Sequence, residues 1–220
     1  MSDDQPILGL AYPAMQWPLV HGRTALIVID AQNDFLHPEG WYASQGIDIE
    51  HMRRSIEPTA KLVAAARARR LPVIWTQHGF KDRSDGGIFF EMRPLLADGG
   101  LRTGTWGYAV LNGLGAEDDD WYIHKSRLSA FFGSNLEIVL SGMKIDTLLF
   151  AGVLTNQCVA ATSKDAYYRD IKPIVVEQAT GTTMPHLHDP AIEMIRVGWG
   201  EVRALEATLE AIEAMPLANS

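Results

Sequence analysis

The chain has a single cysteine, Cys158, among 220 residues. No internal disulfide can form, and a reducing compartment, the cytoplasm, is expected. Positive charge is scarce: 19 Lys and Arg face 27 Asp and Glu, for a formal net charge of -8. That balance argues against nucleic acid or an anionic membrane surface as a partner. No apolar run is long enough to span a bilayer. The start, Met1-Ser2-Asp3-Asp4, is acidic and lacks the basic and apolar regions of a signal peptide, so none is expected. Internal repeats and low-complexity tracts are also missing. The composition is globular, 47% hydrophobic and 21% charged, and the length suits one domain with a sizeable core.

Short apolar runs alternate with helical patterns. Strands are expected over residues 24–30, 72–77, 121–124, from 148 to the turn at Gly152, 172–177 and 200–204. Helices are expected over 49–70, 135–144, from the turn before Cys158 to about 170, from Asp189-Pro190 onward, and over 205–215. Alternation of this kind predicts a three-layer α/β/α fold with a six-stranded parallel sheet. Right-handed crossovers and an early central strand give the order 3-2-1-4-5-6. Residues 1–22, with Pro6, Pro13 and Pro18, read as an irregular arm ahead of a single domain over 23–220. Residues 81–106 read as a long loop or small helical insert that covers a site or makes an interface. Asp118-Asp119-Asp120 and the cluster Arg67, Arg69 and Arg70 read as a solvated turn and a solvated helix end.

Three strand ends carry chemistry. Asp30 closes the first strand, and ligands of open α/β sheets gather at that edge. Its bland reading is a turn carboxylate. Lys125 holds the matching place after the third strand, where a lysine is by default a surface charge. It starts two strands, about 10 Å, from Asp30, so its loop must lean inward for the two to meet. Cys158 follows a strand and a turn at a helix start. A lone cysteine is ordinarily a small buried hydrophobe, but a helix N-terminus favours a thiolate and offers free N–H groups. Together these residues allow nucleophilic catalysis: Lys125 favours the thiolate, Asp30 moves the proton, and the backbone N–H groups of Leu154 and Cys158 hold the oxyanion.

Three ordered blocks carry a family resemblance. They are Val28-Ile29-Asp30-Ala31-Gln32-Asn33-Asp34-Phe35, then Lys125 ahead of Arg127-Leu128-Ser129-Ala130-Phe131, then Gly152-Val153-Leu154-Thr155-Asn156-Gln157-Cys158-Val159. Over residues 24–204 the chain resembles the isochorismatase-like cysteine hydrolases. The resemblance implies an Asp–Lys–Cys triad at Asp30, Lys125 and Cys158, a cis peptide before Leu154, and a homo-oligomer, either dimer or tetramer. Isochorismatases proper lack the nucleophilic cysteine, so Cys158 points to amide cleavage. Nicotinamidases carry a metal-binding Asp-Trp-His after the second strand. This chain has Gln77-His78-Gly79-Phe80 there, so neither a metal nor another cofactor is expected.

Within the family the chain is closer to the ureidoacrylate and biuret-type amidohydrolases, and it is similar to the former in Gly40-Trp41-Tyr42, Trp75-Thr76-Gln77-His78-Gly79-Phe80, Gly104-Thr105-Trp106-Gly107-Tyr108 and Arg127-Leu128-Ser129-Ala130-Phe131-Phe132. Substrate contacts are expected from Phe35, Tyr42, Gln77, His78, Phe80, Leu128 and Asn156. Where that subgroup has Asn, Trp and Tyr, this chain has His78, Phe80 and Leu128, which suggests a less polar pocket. The expected activity is cysteine-dependent cleavage of the C–N bond of a small linear amide or ureido compound, releasing ammonia through a thioester. The alternatives are a nicotinamidase-like or other hydrolase of the same fold, a Cys–His enzyme built on His186 or His188, and a catalytically silent binder.

Overall fold

The computed structural model describes residues 15–216. Its strands are β1 (Thr24–Ile29), β2 (Val73–His78), β3 (Trp121–Lys125), β4 (Thr147–Val153), β5 (Lys172–Gly181) and β6 (Glu201–Arg203). They form one six-stranded parallel sheet in the order β3-β2-β1-β4-β5-β6, the expected architecture. The longer helices are α1 (Ile56–Ala68), α2 (Leu136–Gly142), α3 (Ala160–Tyr167), α4 (His188–Gly198) and α5 (Leu205–Glu213).

β1 and β4 are continuous apolar runs, and every residue of both is buried, as suits central strands covered on both faces. Side-chain alternation splits β1 between two cores. Leu26 and Val28 pack with Leu62 and Val63 of α1 and with Leu205 and Ile212 of α5. Ala25, Ile27 and Ile29 pack on the other face with Leu136 of α2, Ala166 of α3, and Ile192 and Ile195 of α4.

The structure differs from the sequence reading at several ends. The helix expected over 49–70 comes as Glu50–Arg53 and then α1. β2 and β3 each continue one residue further, so His78 pairs with Lys125 in the ladder. The insert over 81–106 contains two short helices, Ile88–Met92 and Pro94–Asp98. Asp34 pins it: one carboxylate oxygen accepts the Trp41 N–H at 3.1 Å and the other accepts the Leu101 N–H at 2.6 Å. Gly107 is required beside that carboxylate, since a Cβ there would lie 2.1 Å from Oδ1.

The acidic run is not simply a solvated turn, because Asp120 turns inward onto Arg67 and Trp75. Arg67 is correspondingly tied down rather than solvated. The arm's residues 1–14, with Pro6 and Pro13, lie outside the described residues. Its end is tied to β6: the Trp17 N–H donates to Glu201 at 2.7 Å, and Arg203 donates to the Trp17 carbonyl at 2.8 Å. Among the described residues no helix is long and apolar enough to cross a membrane.

Candidate active site

Strands β1 to β4 end in ways that bring one side chain each to the carboxyl edge of the sheet. β1 stops because Asp30 takes a left-handed conformation, φ 49°, which Asp tolerates better than most residues. Its N–H donates to the Thr76 carbonyl, and its Oδ1 accepts the Thr76 hydroxyl at 2.6 Å. β4 passes β1 at Gly152, φ 103°, where a Cβ would meet the Ile29 carbonyl oxygen at 2.0 Å. Only glycine fits that approach. The Val153–Leu154 peptide is cis.

Beyond it the chain winds Thr155–Val159 as a π-helical turn before α3. Cys158 therefore sits in this wider turn, not in the first turn of an ordinary α-helix. The Leu154 carbonyl receives the N–H groups of Gln157 and Val159, at 3.0 and 3.1 Å.

The three candidates meet. Lys125 runs past β2 and places Nζ 2.8 Å from Asp30 Oδ2 and 3.4 Å from Cys158 Sγ, while donating to the Arg127 carbonyl at 3.0 Å. A fourth group, His78, lies between them. Its Nδ1 is 3.2 Å from Lys125 Nζ, 3.8 Å from Cys158 Sγ and 3.8 Å from Asp30 Oδ2. None of the four is more than 2% exposed.

Burial and pairing set the charges. Burial disfavours the Lys125 ammonium, but Asp30 and Cys158 outweigh it and hold its pKa above the usual lysine value. Burial pushes the Cys158 thiol up to about 12; Lys125 pulls it down and Asp30 pushes it further up. Desolvation thus opposes ionisation of the sulfur more strongly than the ammonium favours it. Burial, and then Lys125, hold His78 well below the usual imidazole range, so the ring is neutral. With Nδ1 facing an ammonium, Nδ1 is the acceptor and Nε2 carries the hydrogen. That Nε2 is buried and has no partner among the described residues.

Asp30, His78 and Cys158 present ligand atoms within 4.8 Å of one another, a spacing that could hold a metal ion. Lys125 Nζ contacts all three of those atoms, so the cation position is filled by the protein's own ammonium. The set does not fit a metal without expelling that lysine.

The other predicted residues take varied places. Tyr42 stacks on buried Phe35 with ring centroids 4.8 Å apart. Its hydroxyl pKa is raised by burial and then by Cys158. Gln77 donates to the Tyr108 carbonyl at 3.1 Å, and Asn156 accepts the Thr182 hydroxyl at 2.7 Å. Leu128 lines a cleft of about 430 Å³ with Phe89, Arg93 and Phe132.

Phe80 is wholly buried, 4.4 Å from the Phe90 ring centroid and 5.2 Å from that of His78. His186 is exposed, and His188 Nδ1 faces the Thr155 hydroxyl at 3.0 Å. Neither belongs to the cluster, so the Cys–His reading built on them falls.

The sequence reading missed two residues. Gln32 grips the His78 backbone, accepting its N–H at 2.7 Å and donating to its carbonyl at 3.0 Å. A glutamine two places after the strand-end carboxylate was the available signal. Arg93 stacks on Phe89 at 4.4 Å and donates to Gln157, the neighbour of Cys158, at 3.0 Å. Nothing in the local pattern of the insert singled it out.

Known proteins resemble this chain in sequence and in fold. The Isochorismatase domain model matches residues 24–207. A ureidoacrylate amidohydrolase RutB of Methylorubrum extorquens is 34% identical over 209 residues, covering 87% of this chain and 84% of that protein. A cysteine hydrolase from Pseudomonas syringae pv. phaseolicola superposes with a TM-score of 0.85 at 27% identity, covering 93% of this chain and 99% of that one. An N-carbamoylsarcosine amidase from Thermoplasma acidophilum does so with a TM-score of 0.67 at 25% identity, covering 84% and 97%. With its sheet order, its strand-end cluster and a domain match spanning nearly all its strands and helices, the chain belongs to the isochorismatase-like hydrolase family.

Proposed function

We propose that this protein is a cysteine-dependent amidohydrolase that cleaves the C–N bond of a small linear amide or ureido compound and releases ammonia. The observation that carries the reading is the buried contact of one ammonium, Lys125 Nζ, with both Asp30 and Cys158. The names of two relatives, a ureidoacrylate amidohydrolase and an N-carbamoylsarcosine amidase, support a carbamoyl-type substrate.

In this mechanism Cys158 Sγ attacks the carbonyl carbon as its proton passes to Asp30. The carbonyl oxygen becomes an oxyanion held by the N–H groups of Leu154 and Cys158. Asp30 then gives the proton to the leaving nitrogen, and ammonia departs from a thioester. Asp30 next takes a proton from water, hydroxide attacks the thioester, and the proton returns to sulfur. Lys125 stays cationic throughout. At rest the cluster holds one carboxylate, one ammonium and a neutral thiol. In the tetrahedral intermediate it holds a carboxylic acid, the same ammonium and one oxyanion. Net charge stays at zero, so a buried site never carries an unpaired ion.

Ammonia release across ureido acids, carbamoyl amino acids, aryl amides and nicotinamide tests the reading. Turnover is expected on one of the first two classes, and Cys158→Ala should reduce it to the uncatalysed rate with the fold intact. Retained activity in Cys158→Ala would end the proposal. Preference for nicotinamide would favour the nicotinamidase-like alternative.

A further inference from the structure

The ammonium of Lys125 has three hydrogens and four acceptors around it. The Arg127 carbonyl at 3.0 Å, His78 Nδ1 at 3.2 Å and Cys158 Sγ at 3.4 Å are hydrogen-bonded to it, and Asp30 Oδ2 is ion-paired with it at 2.8 Å but has no hydrogen-bond partner among the described residues. One of them always goes without. A neutral thiol is the weakest of the four acceptors and gives way when Asp30 Oδ2 takes a hydrogen, whereas a thiolate needs the hydrogen most. Because His78 Nδ1 lies 3.8 Å from the sulfur, one hydrogen can turn from ring to sulfur without Nζ leaving its place.

We infer that His78 is a positioning residue for the nucleophile: it competes with Cys158 for the third hydrogen of the Lys125 ammonium, and so sets how readily the sulfur ionises. The inference rests on Cys158 being the nucleophile proposed above.

The ring is held for this task. Gln32 fixes its backbone on both sides, and Phe80 and Phe89 pack on it with centroids 5.2 and 5.0 Å away. The lone pair of Nδ1 faces both Nζ and Sγ, so its negative end also opposes charge on sulfur. The other charged or titratable groups bearing on the ring are Arg93, His124 and Arg127. The two arginines only donate, and His124 Nδ1 is engaged with the Tyr108 hydroxyl at 2.9 Å. None of their side chains replaces His78 as acceptor for the third hydrogen.

Three substitutions separate this role from packing. The side-chain oxygen of Asn stands near the place of Nδ1, so His78→Asn keeps an acceptor for Lys125. His78→Gln places its amide near Nε2, and His78→Leu offers no acceptor. The probe is iodoacetamide, whose second-order rate of Cys158 alkylation is measured against pH, with thiolate ultraviolet absorbance as a second readout against Cys158→Ser.

In His78→Leu and His78→Gln the sulfur is expected to ionise about one pH unit lower, since the lost competitor is one hydrogen bond to a charged group. After the lower intrinsic reactivity of a more acidic thiol, alkylation at pH values below both inflections should be about threefold faster. His78→Asn should stay within about 0.3 unit of the parent, a twofold change in ionisation. Packing damage alone would not move the inflection downward, nor would Asn rescue it while Gln did not. An unmoved inflection, or equal shifts in Asn and Leu, overturns this inference alone. Alkylation indifferent to pH in every variant would take down the nucleophile assignment with it.

Discussion

Strand β3 has an ion pair at each end. Before it, Asp120 meets Arg67, with Oδ2 and Nη2 2.5 Å apart; at its far end, Lys125 meets Asp30 at 2.8 Å. The first network is saturated: Asp120 also accepts the Trp75 indole N–H at 2.8 Å and the Glu117 N–H at 2.9 Å, and Arg67 donates to the Gly115 carbonyl. About a quarter of the Arg67 side chain remains exposed, so water screens the pair. The second network is sealed from water and unsaturated. Neither Asp30 Oδ2 nor His78 Nε2 has a hydrogen-bond partner among the described residues. A complete network holds structure. An incomplete, dry one keeps unused hydrogen-bonding capacity for a reacting molecule, at a cost to stability.

The sharpest way to break that contrast is to remove one ion from the dry pair. Lys125→Met leaves Asp30 buried and unpaired, and should cost about 3–5 kcal/mol of stability in urea denaturation. The double variant Asp30→Asn/Lys125→Met leaves no unpaired ion and should recover most of that stability. It should recover no ammonia release. A double variant as unstable as the single one would show that the buried pair holds the fold together, as the outer pair does.

The outer pair should behave oppositely. Asp120→Asn should cost about 1–2 kcal/mol, since the lost bonds are charge-assisted but partly screened. Turnover per folded molecule should be unchanged. A fall in kcat with no change in stability would mean that the two ends of β3 are not separate in function.

Much of this was legible before any coordinates. The runs ending in Asp30 and Lys125 and the turn at Gly152 fixed where side chains enter the site, because strand ends in a parallel sheet all point to one edge. Sheet order followed from connection rules. What was not legible depended on depth and on direction. The charge state of Cys158 turned on whether desolvation or Lys125 dominates, and no spacing reports burial. Asp120 lay in a run of three similar carboxylates, and only the fold tells which one faces in. His78 was visible as a strand-end residue, but its closeness to sulfur required Lys125 to fold back across β2. Phe80 stands at the same strand end, and no local pattern reports that Phe89 and Phe90 of the insert over 81–106 pack against it.

Acid and base should separate the two ends without any mutation. Burial raises the Asp120 pKa, but the hydrogen bonds from Arg67, the Glu117 N–H and Trp75 outweigh it, and the folded value lies below the ordinary 3.8. Its stabilisation is therefore present above about pH 3.8 and is lost as pH falls through the folded value. Lys125 is raised above 10.5, so its contribution is present below that pH and is lost as pH rises through the folded value. Stability measured against pH should lose part of its acid limb in Asp120→Asn and part of its alkaline limb in Asp30→Asn/Lys125→Met. Identical curves for the two variants would remove the distinction between the networks.

The smallest expected effect tests saturation itself. Trp75 is wholly buried and gives its one indole hydrogen to Asp120. Trp75→Phe removes that bond while keeping most of the apolar volume. Asp120 would keep Arg67 and the Glu117 N–H, so no ion is stranded. The lost hydrogen bond should cost about 1 kcal/mol, with a further cavity penalty of about 1 kcal/mol for the smaller ring. Combined with Asp120→Asn, the hydrogen-bond part should be counted only once, and the double variant should fall short of the sum of the singles by about 1 kcal/mol. Strict additivity in denaturation would mean that the indole and the carboxylate do not share a network, and the outer end of β3 would lose its claim to being the complete one.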